Sequence, residues 1–137
     1  NLAAPEIYWR LTRPGKNTDI GPLHADGWFW DNNESWKMPD GFTKRSKVWI
    51  PVQVENGKNG FKLVKGSHRD KSIKYEIVHI EGKNKPVIQS ETLKGEAELA
   101  SIQEGELILF HDRLIHGGAE NNGKYIRVSL EFTCCHN

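Results

Sequence analysis

Along this chain, apolar and polar residues alternate far more often than they recur at every third or fourth position. From Glu6 to Arg13, Ile7, Trp9 and Leu11 fall on one face and Tyr8, Arg10 and Thr12 on the other, and Pro14-Gly15 ends the run. That period of two predicts a strand. Lys47 to Val54 repeats it, with Val48, Ile50, Val52 and Val54 together and Pro51 marking an edge or a bulge. Leu23 to Trp30 reads as a further strand, and Asp31 to Arg45 as a long polar loop. The turn-rich segment Glu55-Asn56-Gly57-Lys58-Asn59-Gly60 predicts a hairpin that joins Lys47–Val54 to Phe61–Val64.

Weaker strands are predicted over Lys74–Ile80, Pro86–Ile88 and Ala97–Ile102, punctuated by Gly82, Gly95 and Gly105. Two strong ones follow. Leu107–His111 is apolar, and Tyr125–Thr133 sets Ile126, Val128, Leu130 and Phe132 against Arg127, Ser129, Glu131 and Thr133. No window carries a convincing helical period; Glu91 to Gln103 comes nearest, and Gly95 interrupts it. About eight short strands with glycine-rich turns indicate a mainly all-β antiparallel sandwich or barrel.

The length of 137 residues fits a single domain spanning 1–137. Nineteen basic and 18 acidic residues leave a formal charge of +1 with no long run of one sign. Neither a nucleic-acid footprint nor a membrane-surface patch is present, so the expected partner is a small molecule. No apolar stretch approaches the roughly 18 residues of a membrane span, and no charged-then-apolar leader precedes Pro5. The only cysteines, Cys134 and Cys135, are adjacent. That geometry staples a fold poorly, which points to reduced thiols and a cytoplasmic location. A strand-like segment begins within a few residues of Asn1, with no initiating methionine, so further upstream sequence is expected.

Chemistry enters at His24-Ala25-Asp26, inside an aromatic run. An unpaired imidazole or carboxylate in a core costs several kcal/mol, so something must hold these groups. In a strand, residues two apart share a face, and His24 and Asp26 would present a nitrogen and an oxygen to one point. Far downstream, HDRLIHGG offers His111 and His116 as a third ligand. Two histidines and one carboxylate on one side of a metal, with the other positions open, suit non-haem Fe(II) oxygenases.

The blocks GPLHADGWFW, VWIPVQVENGKNGFKLVKGSHR and EGELILFHDRLIHGGAENNGKYIRVSLEF resemble successive parts of the phytanoyl-CoA dioxygenase family of Fe(II)/2-oxoglutarate-dependent oxygenases. The family pattern is His-x-Asp, a Gly-Ser-His turn, and a second His-Gly followed after a short interval by Arg. Here those are His24 and Asp26, Gly66-Ser67-His68, His116-Gly117, and Arg127. The resemblance implies a double-stranded β-helix, a cupin-like jelly-roll barrel with the metal inside one end, here without an N-terminal helical segment. It implies Fe(II) on His24, Asp26 and His116, with 2-oxoglutarate and O2 as co-substrates. Arg127 would pair with the distal carboxylate of 2-oxoglutarate, as a planar guanidinium does well. Ser129, on the same strand face, would add a hydrogen bond. His111, which continues the row of Leu107 and Leu109, is left as a supporting group.

In related halogenases the carboxylate position is Ala or Gly, so Asp26 favours hydroxylation or another C–H oxidation. No large cationic groove for coenzyme A is visible, and the substrate stays an unidentified small molecule, with polar metabolites, sugars and amino-acid derivatives all possible. Were the strand to continue past Asp26, Trp28 and Trp30 would either line the mouth of the site or pack, while Phe29 points into the core. The 31–45 loop, with Trp36 and Lys37 near its middle, is long enough for a lid or is simply solvated. Trp28, Lys37 and Arg10 are thus candidate substrate contacts. Gly66-Ser67-His68 reads mainly as a turn fixture, and His79 and His136 as ordinary. Two other functions compete: a jelly-roll zinc hydrolase or isomerase on the same triad, which gives Arg127 no task, and a non-catalytic ligand-binding jelly roll, which leaves the triad unexplained.

Overall fold

The computed structural model describes residues 6–34, 36–80 and 82–137. The leader-free reading of the first five residues, Ser35 of the polar loop, and Glu81 lie outside the described residues. The elements are β1 (Tyr8–Thr12), α1 (Asp26–Asp31), β2 (Lys44–Gln53), β3 (Phe61–Leu63), β4 (Tyr75–Ile80), β5 (Lys83–Ile88), β6 (Glu98–Leu99), β7 (Ile108–His111), β8 (His116–Gly118) and β9 (Arg127–His136). They form a four-stranded sheet in the order β1-β9-β2-β7, a three-stranded sheet β6-β3-β8, and a separate β4-β5 pair. Every pairing is antiparallel. This is the mainly-β, jelly-roll arrangement expected.

Packing joins the two larger sheets. Trp49 of β2 and Phe110 of β7 meet Phe61 of β3 with ring centroids 5.5 and 5.1 Å apart, and Ile102 and Leu114 complete that cluster. A second cluster, Ala25, Trp28, Val64 and Ile115, lies beneath α1. Pro51 falls at the expected irregularity, since the β2-β9 register shifts between Pro51 and Gln53.

Two expectations are corrected. The first concerns residues 23–30, which do not form a strand. His24 makes only a single bridge to His116, and Asp26–Asp31 is a short helix. At under two turns it is too brief for its period to show, and Asp26 in its first turn complements the helix dipole. The three aromatics consequently fan apart. Trp28 is the one in the core, stacked on Tyr75 at 4.4 Å, whereas Phe29 meets the His24 ring edge-on at 5.4 Å. Trp30 lies under the Arg45 guanidinium at 4.6 Å.

The second concerns the hairpin, because β2 and β3 belong to different sheets. The Glu55–Gly60 turn, closed by Asn59 N to Glu55 O at 3.2 Å and Glu55 N to Asn59 Oδ1 at 3.1 Å, carries the chain between them. Turn chemistry specifies a reversal and says nothing of which strand is then met.

The inner face, which alternation left open, is set by the register. Thr12 opposes Arg127, Arg10 opposes Ser129, Lys47 opposes Thr133 and Trp49 opposes Glu131, so these residues share the inner face of the four-stranded sheet. Arg127, Ser129 and Thr12 are buried there, while Trp9, Leu11 and Leu109 on the opposite face are 57%, 58% and 65% exposed. The polar row of β9 therefore faces inward. Alternation separates two faces without naming the inner one, and here the interior is partly a polar site.

Phe61, 2% exposed, touches both sheets and also stacks on His116 at 5.2 Å. Phe61→Ala is expected to cost about 3–5 kcal/mol in urea unfolding followed by circular dichroism, the usual range for deleting a buried aromatic. A loss below about 1 kcal/mol would remove Phe61 from the centre of the core.

Candidate metal centre

His24 and His116 are brought together by backbone. His24 N donates to His116 O at 3.0 Å and His116 N to His24 O at 2.9 Å. Each ring is then turned by its Nδ1, which donates to a carbonyl: Pro22 O for His24 and Leu114 O for His116, both at 2.9 Å. A carbonyl only accepts, so Nε2 is the atom that each ring, once neutral, leaves free to ligate. Both Nε2 atoms face the Asp26 carboxylate, His24 at 3.6 Å from Oδ1 and His116 at 3.4 Å from Oδ2. Phe61 and Phe110 pack on the His116 ring and Phe29 on that of His24, which fixes both planes.

The three ligand atoms lie within 4.8 Å of one another, so the group can hold a metal ion. Asp26 Oδ2 is buried without a hydrogen-bond partner. The Lys47 ammonium stands 3.6 Å from that oxygen, and two imidazole nitrogens with one carboxylate oxygen suit a divalent first-row metal. The electrostatics agree. Burial pushes the His116 imidazole down to about 4, keeping it neutral. Burial also pulls on His24, but the Asp26 carboxylate beside its Nε2 raises it on balance. Burial alone would raise Asp26; His24, His116 and Lys47 hold it well below the usual carboxylate range.

His111 takes no part in the triad. It continues the outward row of β7, its side chain 56% exposed, and its Nδ1 accepts from Arg113 N at 3.0 Å. Gly66-Ser67-His68 does act as a turn: Gly66 has φ of 74°, and Ser67 Oγ accepts from Ile115 N at 2.8 Å.

A second feature of the inner face is Arg127. It is 4% exposed, donating from Nη1 to Ser129 Oγ at 2.6 Å and from Nη2 to Thr12 Oγ1. Its Nε is buried without a partner, and among the described residues no carboxylate makes an ion pair with it. Burial lowers its pKa. Space for the guanidinium depends on Gly118, where a Cβ would stand 3.1 Å from Nη2 and 2.9 Å from Ile20 Cγ2.

The three candidate substrate contacts are dispersed. Arg10 is on the inner face beside Ser129 but mostly exposed, paired with Glu131 at 2.9 Å. Trp28 belongs to the core beneath α1, as above. Lys37 lines a shallow cleft of about 360 Å³ with Trp30 and Trp36 that includes none of the triad. Lys47, Thr12 and Glu131 were not singled out from sequence. Their parity with Trp49, Arg10 and Arg127 was readable, but assigning that parity to the interior needed the sheet register.

The sequence profile of the family described as Phytanoyl-CoA dioxygenase (PhyH) matches residues 7–129. No curated protein matches the sequence. Among solved structures, AviO1 from Streptomyces viridochromogenes Tue57 is similar with a TM-score of 0.60 and 14% identity, covering 98% of this chain and 51% of its own. SnoK, a non-heme alpha-ketoglutarate-dependent carbocyclase from nogalamycin biosynthesis, gives 0.61 and 14%, covering 93% and 47%. The non-heme monooxygenase ThoJ in its apo form gives 0.53 and 13%, covering 93% and 43%. The chain thus spans about half, or less, of the length of these structures. At such identities the likeness is one of fold, and the profile match over most of the sequence carries the assignment. The chain belongs to the phytanoyl-CoA dioxygenase family.

Proposed function

We propose that this protein is an Fe(II)/2-oxoglutarate-dependent dioxygenase that hydroxylates a small molecule. His24, Asp26 and His116 serve as the iron ligands, and Arg127, with Ser129, anchors 2-oxoglutarate. The observation that carries this reading is the buried, unpaired guanidinium of Arg127 on the same interior as a nitrogen-nitrogen-oxygen triangle. Arg127 sits 6.0 Å over the Trp49 ring, Trp49 packs on Phe61, and Phe61 stacks on His116. A buried cation with only hydroxyl partners stands several kcal/mol below its hydrated form in stability unless an anion joins it. A dicarboxylate that reaches both the metal and the guanidinium fits this pairing; a zinc hydrolase reading leaves Arg127 idle. The parent fold of SnoK, described as alpha-ketoglutarate-dependent, supports the same choice.

When bound, Fe(II) supplies the oxidising chemistry in which O2, 2-oxoglutarate and a substrate C–H become succinate, CO2 and a hydroxylated product. The chain's own residues orient and exclude. The carbonyls of Pro22 and Leu114 keep both imidazoles aimed with Nε2 inward. Ser129 and Thr12 hold the Arg127 fork in place, so the order paid for in folding is not lost again on co-substrate binding. Phe61 and Phe110 keep water from the His116 ring, and Phe29 steadies that of His24. A cytoplasmic setting, read from the free thiols of Cys134 and Cys135, belongs to the same proposal; among the described residues no helix is long and apolar enough to cross a membrane.

The decisive experiment is anaerobic titration of the purified protein with Fe(II) and 2-oxoglutarate. The expected result is a visible charge-transfer band, then succinate once O2 is admitted, accelerated by those members of a small-molecule panel that are substrates. Absence of both, with zinc tightly held, would transfer the site to the hydrolase reading.

His24→Ala, Asp26→Ala and His116→Ala should each abolish Fe(II) retention after gel filtration with little change in circular dichroism, whereas His111→Ala should retain it. The reverse result for His111 and His116 would exchange their roles. Arg127→Gln should weaken 2-oxoglutarate by about 1.5–3 kcal/mol in that titration and leave Fe(II) affinity nearly unchanged. An unaltered 2-oxoglutarate affinity would remove Arg127 from the site.

Metal affinity should also depend on pH in a stated direction. His24 is protonated up to a higher pH than an ordinary histidine, so the metal must displace its proton as pH falls. Affinity should drop by about tenfold per unit once the pH is below that midpoint, while His116, held near 4, adds nothing until far lower. Isothermal titration at a series of pH values, corrected for buffer protonation, measures the slope.

A further inference from the structure

Lys47 is 5% exposed, an unusual place for an ammonium. It projects from β2 toward the triad, with Nζ 3.6 Å from Asp26 Oδ2 and donating to Thr133 Oγ1 at 3.1 Å. No other described carboxylate pairs with it. The Asp26 carboxylate itself straddles the site, Oδ1 toward His24 at 3.6 Å and Oδ2 toward His116 at 3.4 Å. Both oxygens are therefore similarly placed to meet a metal, and Lys47 is the group that distinguishes them.

We propose that Lys47 is a positioning residue that draws on Asp26 Oδ2, so that the carboxylate meets the metal through one oxygen only. This rests on the metal reading above and adds what that reading leaves open. A bidentate carboxylate fills one more coordination position, and a 2-oxo acid needs two adjacent ones for its keto oxygen and carboxylate. An ammonium on Oδ2 resists that second bond, because giving Oδ2 to the metal abandons a buried charge pair. Lysine suits the task better than arginine would, as a compact point charge on a stem that β2 and Thr133 can bury. The role also accounts for a cation so close to a cation-binding site: both charges would share one carboxylate, each through its own oxygen.

The test uses Mn(II) as the probe, so that it needs no turnover. Water-proton relaxation of the Mn(II)-loaded protein counts exchangeable waters, about three for a six-coordinate ion with three monodentate protein ligands. Lys47→Met, close in shape, should lower this to about two without weakening Mn(II) binding, and should weaken 2-oxoglutarate at the Mn(II) site by about tenfold or more. Lys47→Arg, which keeps the charge, should restore both values toward the wild type, and it decides the matter alone should the Met variant fail to fold. An unchanged water count and 2-oxoglutarate affinity in Lys47→Met would overturn the proposal, as would loss of Mn(II) from a folded Lys47→Met, which marks a merely structural role. Failure of the wild-type protein to bind Mn(II) would instead bring down the metal reading and this inference with it.

Discussion

Two backbone hydrogen bonds, between His24 and His116 in each direction, tie a segment near the start of the described chain to β8 and make everything else in the site possible. Ninety-two residues separate the partners in sequence, and closing so long a loop carries an entropic cost that grows only slowly with length. The bridge is short, so side chains must steady it. Phe61 and Phe110 on the His116 ring and Phe29 on the His24 ring do so, and the first two also cover the buried His116 imidazole. Structural and chemical demands thus fall on one pair of residues.

The carboxylate arm of the triad depends on a different lock. Asp26 opens α1, a helix of six residues that would not persist alone. Gly27 N donates to Asp112 O at 2.8 Å, Asp112 is held by Arg45 at 2.8 Å, and Asp31 at the far end of α1 is gripped by Arg113 at 2.6 and 2.9 Å. Gly27 has to be small because a Cβ there would come within 2.9 Å of Arg113 Nε and 3.1 Å of Asp112 Oδ2. The exposed Arg113–Asp31 pair adds little stability by itself. Its value is directional, since it sets the helix against the 111–116 turn from which His116 emerges.

Placing polar groups on the inner face divides the core. One cluster packs between the two larger sheets and the other under α1, and the triad and Arg127 lie among them. Buried Thr12, Ser129, Asn59 and Asn121 are each hydrogen-bonded, so the polarity inside is mostly satisfied. Among the described residues, the exceptions are Asp26 Oδ2, Arg127 Nε and His68 Nδ1. Of these, Asp26 Oδ2 faces the Lys47 ammonium at 3.6 Å, and Arg127 Nε belongs to the guanidinium proposed to take an anion.

Much of this was legible in the order of residues. Period-two alternation identified most strands, Pro51 its irregularity, Gly66-Ser67-His68 its turn, and the interval from His116 to Arg127 separated His116 from His111. The family resemblance in those same blocks agrees with the profile match. What tertiary structure alone decided has a common physical origin. Alternation is symmetric between the faces of a strand, so the β1-β9-β2 register was needed to show that Lys47 and Glu131 share the interior with Arg127 and Ser129 while Trp9 and Leu11 look out. His24 and Asp26 were rightly paired for a reason that does not hold: they converge across a bridge and a helix start, not along one strand. Local pattern encodes which atoms are available for chemistry, whereas the point at which they meet is set by contacts between residues that are distant in sequence.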